Sequence, residues 1–285
     1  MRSRHDFAAV NGTRLYYESA GTGPGLVLIH GFGLDRRMWD DQFGIFAQHY
    51  QVLRYDARGF GQSSPPLPDQ PYRHEDDLRA LLRHLGLERV CVLGLSMGGS
   101  IATNFALAYP DAVTALVLAD SALFGYPPAP ATAAPLAPAP ADELERRTQL
   151  AARRAAYLAS PLFAPAHEQP TVATRLRAIV DGYSGWHWYH ADPQRRGEPP
   201  AAQRLGEIRA PTLVLVGARD VPLFQERAEI LAQGIPAARK VVLPGVGHMA
   251  NMEAPEPFCG QVLAFLTEAA PLSQRRAGPP DTGAS

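Results

Sequence analysis

Short apolar runs alternate with amphipathic stretches along most of the chain. Leu26–His30, Gln51–Tyr55, Val90–Gly94, Ala115–Ala119, Thr212–Val216 and Lys240–Leu243 are β-branched or Leu-rich, and the spacing predicts strands. Several are apolar throughout, as strands of a parallel sheet covered on both faces must be. Met38–Ala47, Glu75–Leu85, Ser96–Ala108, Phe224–Gln233 and Glu256–Ala269 carry helical spacing, and Gly86, Pro110 and Gly234 supply stops. At the start, Phe7–Val10 and Thr13–Glu18 flank Asn11-Gly12, the signature of a tight hairpin. Strand-helix alternation of this kind predicts a doubly wound α/β fold.

The alternation breaks between about Ala122 and Leu205. Pro127 to Pro140 is an Ala/Pro tract, too proline-rich for helix or strand, and reads as a loop. Asp142–Ser160, with Asp142 as N-cap, and Thr171–Asp181 read as helices. An aromatic cluster follows: Tyr183, Trp186, His187, Trp188 and Tyr189. Residues 1–121 and 206–270 are therefore expected to form a core, 122–205 a helical insertion over the C-terminal edge of its sheet, and 271–285 a disordered tail rich in Gly, Pro, Ser and Arg. There is no internal repeat.

The chemistry gathers at the ends of the strands. Gly94-Leu95-Ser96-Met97-Gly98-Gly99 fits G-x-S-x-G directly after a strand and before a helix, the context that motif requires. Side chains at Gly94 and Gly98 would clash in so sharp a turn, which lifts the Ser96 hydroxyl above the sheet as a candidate nucleophile. His30-Gly31-Phe32-Gly33 follows an earlier strand, so backbone N–H groups of Phe32 and Met97 are the candidate oxyanion donors. A serine hydroxyl needs a base and an acid that orients it. Of nine histidines, His248 sits in a loop between the last strand and last helix, at the edge facing Ser96. Asp220, after the strand Thr212–Val216, is the candidate acid, with Asp120 after Ala115–Ala119 as its rival. Asp56 in Asp56-Ala57-Arg58-Gly59-Phe60-Gly61-Gln62-Ser63 reads as a structural turn, and His30 as structural within its own turn. His5, His49, His74, His84 and His167 lie in polar surroundings and are expected on the surface. His187 and His190 have helical i, i+3 spacing but no third ligand, so no metal site is expected.

Other classes are pruned by composition. A net charge of −1 leaves no basic surplus for nucleic acid. No apolar run approaches the ~20 residues of a membrane span. No nucleotide-binding glycine motif follows a strand, and the single lysine, Lys240, reads as a strand-edge charge, which disfavours Schiff-base chemistry. No cofactor is implied. Cys91 and Cys259 read as small core residues, and with a polar N-terminus they point to the cytoplasm. A homodimer is compatible with the sequence.

Together His30-Gly-Phe-Gly, Asp56-x-Arg-Gly-x-Gly-x-Ser, Gly94-Leu-Ser-Met-Gly-Gly, Gly217-x-x-Asp220 and Gly247-His248 resemble the α/β-hydrolase superfamily over about Leu15 to Leu266. The nearest resemblance is to the branch of serine esterases, enol-lactonases, C–C bond hydrolases and cofactor-free haloperoxidases. It implies an α/β-hydrolase fold with a mostly parallel eight-stranded sheet, flanking helices and a helical cap, and a small-molecule substrate. A hydrophobic ester or lactone cleaved through an acyl-enzyme on Ser96 is the leading expectation. C–C cleavage, acyl transfer or cyclisation, and a non-enzymatic receptor on the same scaffold are the alternatives. Ser96 stands where dehalogenases and epoxide hydrolases of this fold carry Asp, and Met249 where C–C hydrolases usually carry Trp. Trp186 or Trp188, with Phe32, Met97 and Met249, is expected to wall the substrate pocket.

Overall fold

The computed structural model describes residues 3–126 and 142–276. Eight strands, β1 Arg4–Val10, β2 Thr13–Ala20, β3 Gly25–Ile29, β4 Gln51–Tyr55, β5 Val90–Leu95, β6 Val113–Ala119, β7 Thr212–Gly217 and β8 Ala238–Leu243, form one sheet. Their order is β1-β2-β4-β3-β5-β6-β7-β8. Only β2 runs antiparallel to its neighbours; β4, β3 and β5 to β8 are parallel.

The continuous apolar runs have a direct structural cause. Every residue of β3, β5 and β7 is buried. Alternate residues enter two different cores: Leu26, Leu28, Cys91, Leu93, Leu213 and Leu215 one, and Val27, Ile29, Val90, Val92, Val214 and Val216 the other. The period of two is thus present, with both phases apolar because helices cover both faces. Helices α1 (Asp40–Phe46), α2 (His74–His84) and α3 (Met97–Ala108) follow β3, β4 and β5. Between β6 and β7 come α4 (Glu143–Leu158), α5 (Ala164–His167), α6 (Pro170–Val180) and α7 (Trp186–Tyr189); then α8 (Pro222–Gly234), α9 (Ala250–Glu253) and α10 (Pro255–Arg276). Phe258, Val262 and Phe265 of α10 fill the first core; Leu78, Leu81, Ile101, Phe105 and Leu231 fill the second.

Local signals act as expected at several points. Asn11 and Gly12 both have positive φ, 48° and 70°, the pairing a two-residue hairpin turn requires. Asp142 caps α4 by accepting the Glu145 N–H at 2.8 Å. The Ala/Pro tract Pro127–Pro140 lies outside the described residues. The segment between β6 and β7 packs downward: Leu158, Phe163, Ala166, Leu176 and Val180 share the first core with Leu34 and Met249, which sit in loops leaving β3 and β8. Cys91 and Cys259 are buried and unpaired. Among the described residues no helix is long and apolar enough to cross a membrane.

Two expectations are corrected. His74 is buried, not a surface residue: it opens α2 with its ring edge-on to Tyr72, and burial pushes its pKa down to about 3. The helix α10 continues past Pro271 to Arg276, so the start expected for the tail falls inside a helix, and 277–285 lie outside the described residues. A proline lacks only its own N–H and restricts the residue before it, so a helix can pass one at a cost rather than stop there.

Candidate active site

Ser96 lies in the turn between β5 and α3 with φ 55° and ψ −116°, a conformation side chains rarely adopt. Its neighbours explain why the motif needs glycine. A Cβ at Gly94 would stand 2.1 Å from the Gly98 carbonyl oxygen, and one at Gly98 would stand 2.1 Å from that of Ile29. Both obstacles are backbone and cannot move aside. Two hydrogen bonds to β6 and the residues after it pin the turn: Ser96 N–H to the Ala119 carbonyl and Ala122 N–H to the Ser96 carbonyl, each 3.0 Å.

Because β5 to β8 are parallel, the residues that follow them gather at one sheet edge: Ser96, Asp120, Asp220 and His248. Asp220 and His248 are 4% and 3% exposed and joined by a 2.8 Å contact between His248 Nδ1 and Asp220 Oδ2. Facing a carboxylate oxygen, Nδ1 is the donor in that bond, so Nε2 is the ring nitrogen left for chemistry. The other Asp220 oxygen accepts the Val221 N–H at 2.7 Å. Phe224 packs against the His248 ring at 4.3 Å between centroids. Asp120, the rival acid, is wholly buried; its Oδ1 accepts the Gly217 N–H at 2.8 Å rather than holding the histidine.

Glu253 is a participant that motif reading missed. Its carboxylate accepts the Gly247 N–H at 2.6 Å and the Met249 N–H at 3.0 Å, clamping the backbone on both sides of His248. Burial raises its pKa, against the opposing pull of those two N–H groups. Nothing in Met249-Ala-Asn-Met-Glu253 distinguishes this glutamate from an ordinary acidic residue in a first helical turn.

The loop after β3 lies beside the elbow: a Cβ at Gly31 would come within 3.6 Å of Ser96 Cβ. Phe32 and Met97 are both partly exposed. His30 is structural as expected, with Nδ1–H on the Gly31 carbonyl at 2.8 Å and Nε2 accepting the Ala57 N–H at 3.0 Å. Asp56 ties the same region to Arg36, accepting its backbone N–H at 2.9 Å and its guanidinium at 3.0 Å, while Arg58 pairs with buried Asp77. From above, the Tyr157 hydroxyl on α4 donates to the Phe32 carbonyl at 2.6 Å.

The aromatic residues of the segment between β6 and β7 divide. Trp188 stands edge-on to Tyr183 and tilted against Tyr157, both of which pack on Phe32. Trp186 stacks on exposed His190 at 5.0 Å, and its other ring contact is His187. Trp188 thus lies in the aromatic group around Phe32, whereas the ring contacts of Trp186 are with His187 and His190. Met249 is wholly buried in the first core. His187 stacks on Phe60 at 4.5 Å with Nδ1 against the Tyr183 hydroxyl at 2.7 Å, and burial lowers its pKa to about 4. His190 Nδ1 is engaged by the Trp186 carbonyl at 2.9 Å.

A strained serine between strand and helix, on the edge where a buried Asp-His pair and a glycine-flanked loop also converge, defines a hydrolase scaffold. The chain belongs to the α/β hydrolase fold family, whose model matches residues 24–255. An uncharacterized Mycobacterium tuberculosis protein is 37% identical over 113 residues, which are 39% of this chain and only 33% of that protein. The 2-hydroxy-6-oxononadienedioate/2-hydroxy-6-oxononatrienedioate hydrolase 2 of Pseudomonas putida is 30% identical over 279 residues, covering 89% of this chain and 91% of its own. Among solved structures, the enol-lactonase from Burkholderia xenovorans LB400 superposes with a TM-score of 0.70 at 28% identity, covering 92% of this chain and 100% of that one.

Proposed function

We propose that this protein hydrolyses a carboxylic ester or lactone bearing a hydrophobic group. Ser96 is the nucleophile, His248 the general base and Asp220 the acid that orients it, while the N–H groups of Phe32 and Met97 receive the oxyanion. The carrying observation is Ser96 held at φ 55° at the same sheet edge as the buried His248–Asp220 pair, joined through Nδ1 at 2.8 Å. In the first half, His248 Nε2 takes the Ser96 proton as Oγ attacks the carbonyl, and returns it to the leaving alcohol. In the second half, the same nitrogen takes a proton from water, which attacks the acyl carbon, and passes that proton to Ser96 Oγ as the carboxylic acid leaves. No cofactor enters either half.

Residues 122–205 act as a cap over a core of 1–121 and 206–270, and Trp188 with Phe32 favours an apolar acyl or aryl group over a charged one. Two unpaired buried cysteines fit a cytoplasmic location. The test is a panel of p-nitrophenyl esters and lactones against wild type and Ser96→Ala. Turnover of an apolar ester that falls about 10³-fold in the variant supports the reading; absence of turnover across the panel favours a receptor. The Pseudomonas putida relative favours a second reading, cleavage of a C–C bond in a diketone-type substrate, although Met249 stands where such enzymes usually carry Trp.

A further inference from the structure

Asp120 directly follows β6 with φ 41°, outside the range side chains favour, in a conformation that persists only where the surroundings impose it. It is wholly buried, and its two oxygens are unequal. Oδ1 accepts the Gly217 N–H at 2.8 Å, whereas Oδ2 meets no donor among the described residues. What stands nearby is the Asp220–His248 pair: the three side chains bring one polar atom each within 4.8 Å of the others. An ionised Asp120 would set one buried carboxylate against another, each an acceptor, with no proton between them. Glu253 adds further negative charge near Asp120, and Arg227 on α8 interacts electrostatically with Asp220.

We infer that Asp120 is held as a neutral carboxylic acid whose Oδ2 proton is directed at the Asp220 carboxylate, so that it positions the acid which orients His248. Its kinetic consequence rests on the proposed role of that pair; its protonation state does not. Burial first, and the Asp220 charge second, drive the Asp120 carboxyl well above the usual carboxylate range. The resting site then holds one proton on Asp120 Oδ2, one on His248 Nδ1 and none on Asp220. When His248 becomes cationic, Asp220 is the single full negative charge bonded to it. Asp120 stays neutral and draws part of that charge toward itself, which fixes the carboxylate plane. This explains why a buried side chain with an acceptor already satisfied on one oxygen is an acid rather than a hydrophobe.

Infrared difference spectra of wild type minus Asp120→Asn at neutral pH test the protonation state directly. A carboxylic-acid C=O band lost in the variant is expected; a carboxylate band lost instead overturns the inference, whether or not the protein is an esterase. The pH profile of kcat/KM supplies a sign. Removing a neutral donor concentrates the Asp220 charge on its bond to His248, so Asp120→Leu should lower kcat about tenfold and move the acid limb to higher pH by roughly half a unit, and Asp120→Asn should restore most of both. If Asp120 were ionised, both variants would remove a negative charge and move the limb to lower pH, which contradicts the inference. Should Asp120→Leu fail to fold because Gly217 loses its acceptor, the Asn variant and the infrared band still decide.

Discussion

Glu253→Gln isolates a contribution that no motif announces. The native carboxylate accepts two backbone N–H groups, from Gly247 at 2.6 Å and Met249 at 3.0 Å, at 8% exposure. Glutamine keeps the shape but offers one acceptor oxygen, and turns an NH2 toward the other backbone donor. The variant thus loses one charge-assisted bond, worth about 1.5–3 kcal/mol, and strands an N–H. A net loss of about 2–4 kcal/mol corresponds to a Tm drop on the order of 10 °C for a chain of this size. On the proposed mechanism kcat also falls by about tenfold or more, because the freed backbone carries His248, and sub-ångström placement of a base is worth such factors. Differential scanning calorimetry and steady-state kinetics on one preparation measure both. A Tm within about 1 °C of wild type together with unchanged kcat would refute the clamp.

Gly98→Ala should prevent accumulation of folded protein, since its Cβ would stand 2.1 Å from a backbone oxygen, while Gly44→Ala, where nothing lies within 4 Å, should be tolerated in α1; soluble yield and circular dichroism compare them. Trp188→Ala should raise KM for a bulky ester more than for a small one, and Trp186→Ala should change neither; equal effects on both substrates would make Trp188 a packing residue only. Acid should destabilise the fold through His74 and His187, whose native pKa values of about 3 and about 4 lie below the ~6.5 of an unfolded histidine. Between those values the unfolded chain binds more protons than the native one, so stability is lost as pH falls through about 6.5, by roughly 2 kcal/mol per histidine at about pH 5. The buried carboxylates Asp56, Glu75 and Asp77, raised in the native state, act in the opposite sense. Chemical denaturation of His187→Gln should therefore show a stability gap to wild type that narrows as pH falls; a constant gap would contradict it.

The central strands were legible because burial on both faces leaves no polar position: β5 and β7 read as unbroken apolar runs. The elbow was legible because sterics at Gly94 and Gly98 permit one residue type. At the edge that logic fades. β1 begins at Arg4 and is mostly exposed, so its pairing with β2, not its side chains, defines it. His74 was misread because His-Glu-Asp-Asp is polar in sequence, yet Glu75 and Asp77 are buried with it, Asp77 neutralised by Arg58 far along the chain. Trp186 and Trp188 share a composition and a helix; which one faces Phe32 depends on how α7 is rotated. The arrangement around Asp120 is a matter of strand order, since β6 and β7 are neighbours with Ala119 opposite Leu215.

The central claim is that Ser96 Oγ attacks substrate with His248 as its base. Incubation with a fluorophosphonate, followed by peptide mass mapping, measures this most directly. Wild type should gain one covalent phosphonyl group, on Ser96, in step with loss of ester turnover, and His248→Ala should label at least about 10²-fold more slowly. A label on another residue, or full inactivation with Ser96 unmodified, would contradict the account.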